Sequence, residues 1–170
     1  TPGRIFGNVV DTVIRQATCE VLLSKLGKNF SIPINFNHCL IPMAGGPNSK
    51  VALKLLPALV SSSQNLRIRL TQVFSLSERK TDMKVLQAAK RLLIDRYKLS
   101  NNIKAIPVKA ESVPEGVIEL VKKQAFDLVV VGASREGMLQ QAINGNIPEA
   151  IASGVDCTVI LVRGINGYEL

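Results

Sequence analysis

Residues 126–163 read FDLVVVGASREGMLQQAINGNIPEAIASGVDCTVILVR. The apolar run DLVVVG ends at Gly132 and has the unbroken character of a strand buried on both faces, as strands of parallel sheets are. A loop follows with Gly132, Gly137 and the small Ala133 and Ser134. A helix then starts at Gly145 or Asn146 and extends to Ala152. Asn146 is a good N-cap, Pro148 suits the first turn, and Glu149 stands three residues after the cap as in a capping box. CTVILVR (157–163) is a second apolar strand. Strand, glycine-rich turn, helix and strand in this order argue for a βαβ unit.

The second half of that stretch occurs twice. GNVVDTVIRQATCEVLLSK (7–25) reads like GNIPEAIASGVDCTVILVR (145–163). Gly7 faces Gly145, Asn8 faces Asn146, Cys19 faces Cys157, Val21 faces Val159 and Leu23 faces Leu161. Asp11/Glu149, Val13/Ile151 and Lys25/Arg163 are conservative pairs. Every pair is 138 positions apart, a period the size of a whole domain. The expected organisation is therefore the closing helix and strand of a preceding domain at 1–27, a linker at 28–37, a complete domain at 38–164 and a tail at 165–170. The chain is expected to be part of a longer protein.

Working outward, apolar runs alternate with helical periodicity. HCLIPM (38–43) predicts a short buried strand. Asn48 to about Ser62 predicts a helix, with Val51, Leu55 and Leu59 on one stripe and Pro57 bending it or marking its last turns. LRIRLTQVF (66–74) reads as a strand. Lys80 to Leu99 predicts a long helix facing Val85, Ala88/Ala89, Leu92/Leu93 and Tyr97 inward. IKAIPVKA (103–110) is a strand that Pro107 places at an edge, and Val113 to Gln124 is a helix. Such alternation defines an α/β fold with a doubly wound parallel sheet. Ligands of such sheets bind beyond the carboxyl ends of the strands at the switch point, so the loops at 42–49, 73–79 and 132–146 are the candidates.

The 170 residues are 46% hydrophobic but only 4% aromatic, and the net charge is +8. The apolar mass is Val, Ile, Leu and Ala, which suits strands covered by helices. No apolar run approaches the ~18 residues that span a bilayer, and TPGRIFG at the start has no signal core. The cations are scattered (Lys50, Lys54, Arg67, Arg69, Arg79, Lys84, Lys90 and others) without interleaved aromatics, which argues for solvated faces and against nucleic acid. Cys19, Cys39 and Cys157 lie at strand starts and read as buried reduced thiols. One histidine, His38, and no Cys-x-x-Cys give no support to a metal site.

Two turns could carry chemistry. A glycine-rich approach to free N–H groups at the helix start near Gly145 and Asn146 is an anion cradle or an ordinary well-capped connection. AGGPNS (44–49) is a second glycine-rich turn, where Gly45 and Gly46 let backbone N–H groups approach a phosphate. A tight turn capped by Asn48 is the preferred reading of it. Both turns belong beside the switch point. No catalytic set is found: Asp95, Glu111, Glu115, Glu119 and Asp127 suit helix faces or strand starts, and Ser134 has no evident base.

The 132–146 stretch resembles the universal stress protein family, which carries Gly-x2-Gly-x9-Gly-Ser/Thr after its fourth strand. Gly132 takes the first glycine and Gly145 the third, while Arg135 and Asn146 replace the second glycine and the Ser/Thr. The resemblance covers roughly 37–164, and 3–25 as the end of a preceding copy. It implies a five-stranded parallel sheet in order 3-2-1-4-5, within the adenine nucleotide alpha hydrolase-like group. It also implies a pocket for ATP or another adenine nucleotide formed by Pro42, Met43, Ala44, Gly45, Val73, Gly132, Ser134, Arg135, Gly145, Asn146 and Ile147. Ala44 stands where nucleotide-binding members have an aspartate. AGGPNS is also similar to the pyrophosphate loop of ATP pyrophosphatases, with Ala44 and Asn48 in place of Ser and Asp.

The GGPN loop, GASREG and GNIPEAI further resemble the tandem stress-protein tails of bacterial membrane transporters, chloride-channel types first, amino-acid permeases and cation/proton antiporters next. That resemblance implies a non-enzymatic regulatory domain on the cytoplasmic side of an inner membrane. Its partners would be a preceding universal stress domain and the transporter's membrane domain, with homodimers expected and nucleic acid not. The alternatives are a stand-alone stress-response domain acting by dimerisation with a degenerate pocket, and an ATP pyrophosphatase-like enzyme. The family commonly pairs fifth strands antiparallel, so CEVLLSK (19–25) is expected to lie against CTVILVR (157–163), covering an apolar edge.

Overall fold

The computed structural model describes residues 6–44, 47–100, 102–133 and 146–165, with residues 47 and 48 described as backbone. The elements run α1 (Asn8–Gln16), β1 (Val21–Lys25), β2 (His38–Pro42), α2 (Pro47–Leu53), α3 (Leu56–Ser62) and β3 (Arg67–Ser75). They continue with α4 (Lys84–Arg91), a π-helical turn (Leu92–Arg96), β4 (Ile103–Ala110), α5 (Val113–Gln124), β5 (Leu128–Ala133), α6 (Ile147–Gly154) and β6 (Thr158–Arg163).

The strands form one sheet in order β1-β6-β5-β2-β3-β4. From β6 to β4 neighbours are parallel, and β1 adds to β6 antiparallel. The expected five-stranded sheet is thus a six-stranded, mixed one, and the order 3-2-1-4-5 does not describe the whole of it. The difference is β1, which occupies the β6 edge. β4 with Pro107 is the opposite edge, where a missing N–H costs no ladder bond.

Two apolar layers cover the sheet. Cys39, Ile41, Ile68, Leu70 and Val130 pack under α2, α3 and α4 through Leu53, Leu56, Leu86 and Leu93. Leu40, Val129, Val131, Val159 and Leu161 pack under α5, α6 and α1 through Val117, Leu120, Ile151 and Ile14. β2 and β5 are buried on both faces, so their residues are apolar without alternation.

Three helices depart from expectation. The stretch 48–62 is two helices: Lys54 and Leu55 turn back to Val51 and Ala52 through i→i−3 bonds of 3.2 and 3.3 Å. The ring nitrogen of Pro57 offers no N–H to residue 53, so the ladder breaks just before it. The long helix starts at Lys84 rather than Lys80 and widens into the π turn. Its buried residues are Leu86, Ala89 and Leu93; Val85, Leu92 and Tyr97 are half-buried and Ala88 is exposed. α6 starts at Ile147 and runs to Gly154, with Asn146 as its N-cap.

Segment 26–37 is docked rather than free. Gly27 N–H donates to Thr158 Oγ1 at 2.9 Å, Lys28 N–H to Asp156 O at 3.0 Å and Phe36 N–H to Ser63 Oγ at 2.9 Å. Phe36 is buried in the core. The thiols differ from one another: Cys39 is buried, Cys157 half-buried, and Cys19 exposed, contrary to its expected burial. Cys19 lies in the α1–β1 turn at the sheet edge, whereas the docked segment shields its repeat partner Cys157.

Candidate functional site

The crevice is set by where strands part. β2 and β5 are in register only at Cys39↔Leu128 and Leu40↔Val129. β5 stays with β6 through Ala133↔Arg163, and β2 stays with β3 through Pro42↔Thr71. Beyond Leu40 the two central strands lose one another, and Ile41 to Ala44 on one side faces Val130 to Ala133 on the other. This is the switch point, since α2 leaves β2 toward one layer and α6 follows β5 in the other.

The β2 side is held firmly. Met43 N–H donates to Thr71 O at 2.7 Å, and Thr71 Oγ1 donates to Ile106 O at 2.6 Å. Ala44 N–H donates to Ser49 Oγ at 2.9 Å, and Ser49 is buried. Ser49, in the first turn of α2, therefore ties that helix to the end of β2. A serine five residues after the strand-end alanine is the sequence signal available for this contact.

Of the expected pocket residues, Pro42, Met43 and Ala44 line the β2 side and Gly132 the β5 side. Val73 lies on β3, on the face toward α5, close against Gly116. Asn146 caps α6, its Oδ1 accepting from Glu149 N–H at 2.9 Å, and Ile147 opens the helix half-buried. Gly45, Ser134, Arg135 and Gly145 lie outside the described residues. Among the described residues the expected set thus falls on the two central strand ends and on one capped helix start after β5. Gln72, on the opposite face of β3, carries a buried Oε1 with no partner among the described residues, a feature absent from the expected set.

Among the described residues no group of three His, Cys, Asp or Glu could hold a metal ion, and no helix is long and apolar enough to cross a membrane. A cleft of about 680 Å³ lies elsewhere, between residues 27–36 and the C-terminal ends of α5 and α6. It sits at the amino ends of β5 and β6, away from the glycine-rich turns, and is a groove beside the docked segment.

A doubly wound α/β domain with its crevice at the carboxyl ends of β2 and β5 is a scaffold for small ligands. The family model of the universal stress proteins matches residues 35–163, and the chain belongs to that family. Three solved structures share the fold. One is a universal stress protein in complex with cAMP, at TM-score 0.55 and 19% identity, covering 73% of this chain and 94% of that one. A universal stress protein family member from Arabidopsis thaliana with AMP bound has TM-score 0.56 and 14% identity over 75% of this chain and 92% of its own. A universal stress protein from Archaeoglobus fulgidus has TM-score 0.67 and 10% identity, covering 94% of this chain. This chain spans 55% of the Archaeoglobus protein. The comparison with curated proteins found no match.

Proposed function

We propose that this chain is a non-enzymatic regulatory universal stress domain that binds an adenine nucleotide in the β2–β5 crevice. The observation that carries the reading is the parting of β2 and β5 after Leu40 and Val129, with a capped helix start at Asn146 in the connection from β5 to β6. N–H groups at such a helix start favour phosphate. The family members with cAMP and AMP bound support the ligand class.

The domain works as one of a pair, with residues 1–27 as the closing helix and strand of a preceding universal stress domain. It serves as the cytoplasmic tail of a membrane transporter, of the chloride-channel type, and assembles as homodimers. Support for the pairing comes from the repeat. In the β1–β6 ladder, Val21 faces Arg163, Leu23 faces Leu161 and Lys25 faces Val159. Exchanging each residue for its counterpart 138 positions away returns the same ladder, as a two-fold axis through Leu23 and Leu161 requires. A nucleotide that binds one arrangement of the pair more tightly would bias the transporter by that difference in affinity.

Calorimetric titration of the folded chain with ATP, ADP, AMP and cAMP, with and without magnesium, tests the ligand. Saturable binding weakened about tenfold or more by Gly132→Val is expected, since a side chain there fills the cradle. Absence of binding by a folded sample rejects the nucleotide and leaves domain pairing as the function.

A further inference from the structure

At the amino end of the sheet, far from the crevice, three full positive charges share one face. Leu40 packs in the α5 layer, while Cys39 and Ile41 pack in the other, so His38 also faces α5. By the same alternation Ile68 and Leu70 face away while Arg67, Arg69 and Val73 face α5; Ile103 and Ala105 face away while Lys104, Ile106 and Val108 face α5. The ladder sets Arg67 beside His38 and Arg69 beside Lys104. Neighbouring strands are about 4.8 Å apart, so these side chains form one basic patch.

The patch is not neutralised. Arg69 is only 7% exposed, yet its Nη1 donates to uncharged oxygens alone: Ile68 O at 3.0 Å, Asn102 O at 2.9 Å and Asn102 Oδ1 at 3.4 Å. None of Arg67, Arg69 and Lys104 has an ion pair among the described residues. Asp127, the nearby carboxylate, accepts from the N–H groups of Asn37 at 2.8 Å and His38 at 2.9 Å, and from Asn37 Nδ2 at 3.4 Å. The carbonyl end of α5 carries roughly half a negative charge, and its Gln124 O lies 3.2 Å from His38 Nδ1. His38 is 5% exposed and stacked on Phe126, and its Nε2 is buried without a partner among the described residues. One carboxylate and half a dipole charge do not balance three cations. A nearly buried guanidinium without a counter-ion is costly unless an anion reaches it. Arg67 and Lys104 are exposed and can admit one.

We propose that Arg67, Arg69 and Lys104 form a binding site for a small tetrahedral oxyanion, inorganic phosphate or a phosphate monoester, at the amino edge of β3 and β4. The geometry suits charge-assisted bonds from two guanidinium groups with Lys104 as a third charge. The site is separate from the nucleotide crevice and stands whether or not that crevice is occupied.

Thermal unfolding of the whole chain in inorganic phosphate, against chloride at matched ionic strength, tests it. A saturable rise in Tm of a few degrees is expected, and the double variant Arg67→Ala, Lys104→Ala should weaken the apparent phosphate affinity at least about tenfold. Gly132→Val should leave the phosphate response intact, which separates this site from the crevice. An equal response in the double variant, or no response specific to phosphate in the parent chain, overturns the proposal. Phosphorus NMR of inorganic phosphate needs no variant: broadening by the native chain, relieved by excess sulfate, is expected, and unchanged line width overturns the site.

Discussion

Removing the Arg163 side chain should detach the α1–β1 segment before anything else unfolds. Arg163 is 1% exposed and ends β6. Its Nη2 donates to Ala17 O at 2.9 Å and to Cys19 O at 2.8 Å, the carbonyls where α1 turns into β1. Hydrogen bonds from a charged donor are worth about 1.5–3 kcal/mol each. Against them stands the desolvation of a buried guanidinium whose Nε has no partner among the described residues. A net loss of about 3 kcal/mol is therefore expected for Arg163→Ala. Because these carbonyls belong to the α1–β1 segment, the loss should appear as local opening. Amide exchange at Val21–Lys25 should accelerate by about two decades, at one decade per 1.4 kcal/mol, while β2, β3 and β4 keep their protection. Arg163→Met keeps the aliphatic stem and separates packing from bonding; it should open the segment nearly as much. Exchange at 21–25 within threefold of the parent in Arg163→Met, or uniform acceleration across the sheet, would refute the reasoning.

Two further outcomes can be measured directly. A β-carbon at Gly27 would sit 2.5 Å from Thr158 N and 2.6 Å from the Cys157 carbonyl carbon, whereas one at Gly154 would meet only the end of the Ile118 side chain, its Cδ1 and Cγ1. Backbone cannot give way and a side-chain tip can, so Gly27→Ala should cost about 2 kcal/mol or more and Gly154→Ala less than about 1 kcal/mol; equal urea midpoints would contradict this. Cys19 is exposed, while desolvation raises the Cys39 thiol far above its usual range and pushes Cys157 up to about 11. An aromatic disulfide reagent at pH 8 should therefore modify Cys19 promptly and the other two only on unfolding, and a second fast thiol would contradict the burial.

The strands were legible because each is a short apolar run between turn residues, and Pro107 marked its own edge. Helix faces were harder. In KVLQAAKRLLIDR apolar residues come in adjacent pairs, so a 3.6-residue period cannot choose between Val85 and Leu86 or between Leu92 and Leu93. The π turn at Leu92–Arg96 then widens the repeat, and Lys98 in the left-handed region (φ 55°) ends the helical path. The strand LRIRL reads as cations facing water, yet Arg69 is covered; its shelter comes from Asn102 and the α5 layer, which no local pattern encodes. At the crevice Gly132 at the end of β5 and the Asn146 cap could be read locally. The bond from Ala44 N–H to Ser49 Oγ could not, because it depends on how the chain turns after Pro42.

The repeat carries a physical consequence beyond its letters. Lys25 Nζ donates to Ala152 O and Val155 O at the end of α6, and Arg163 donates to Ala17 O and Cys19 O at the end of α1. Lys25 and Arg163 are counterparts, as are Ala17 and Val155, so the last basic residue of each similar segment crosses the ladder to satisfy the other segment's helix end. Carbonyls there lack intrahelical partners, and a cation is what they favour. Burial does not follow the same symmetry. Ile151 is fully buried beneath α5 and β5, while its counterpart Val13 is 46% exposed and Leu22 on β1 is 48% exposed. The reciprocal cation contacts need only a helix and a strand from each similar segment, which is why β1 docks in register. The apolar faces of α1 and β1 need a strand and helix placed as β5 and α5 are. Val13 and Leu22 therefore mark where the paired domain proposed above would have to pack.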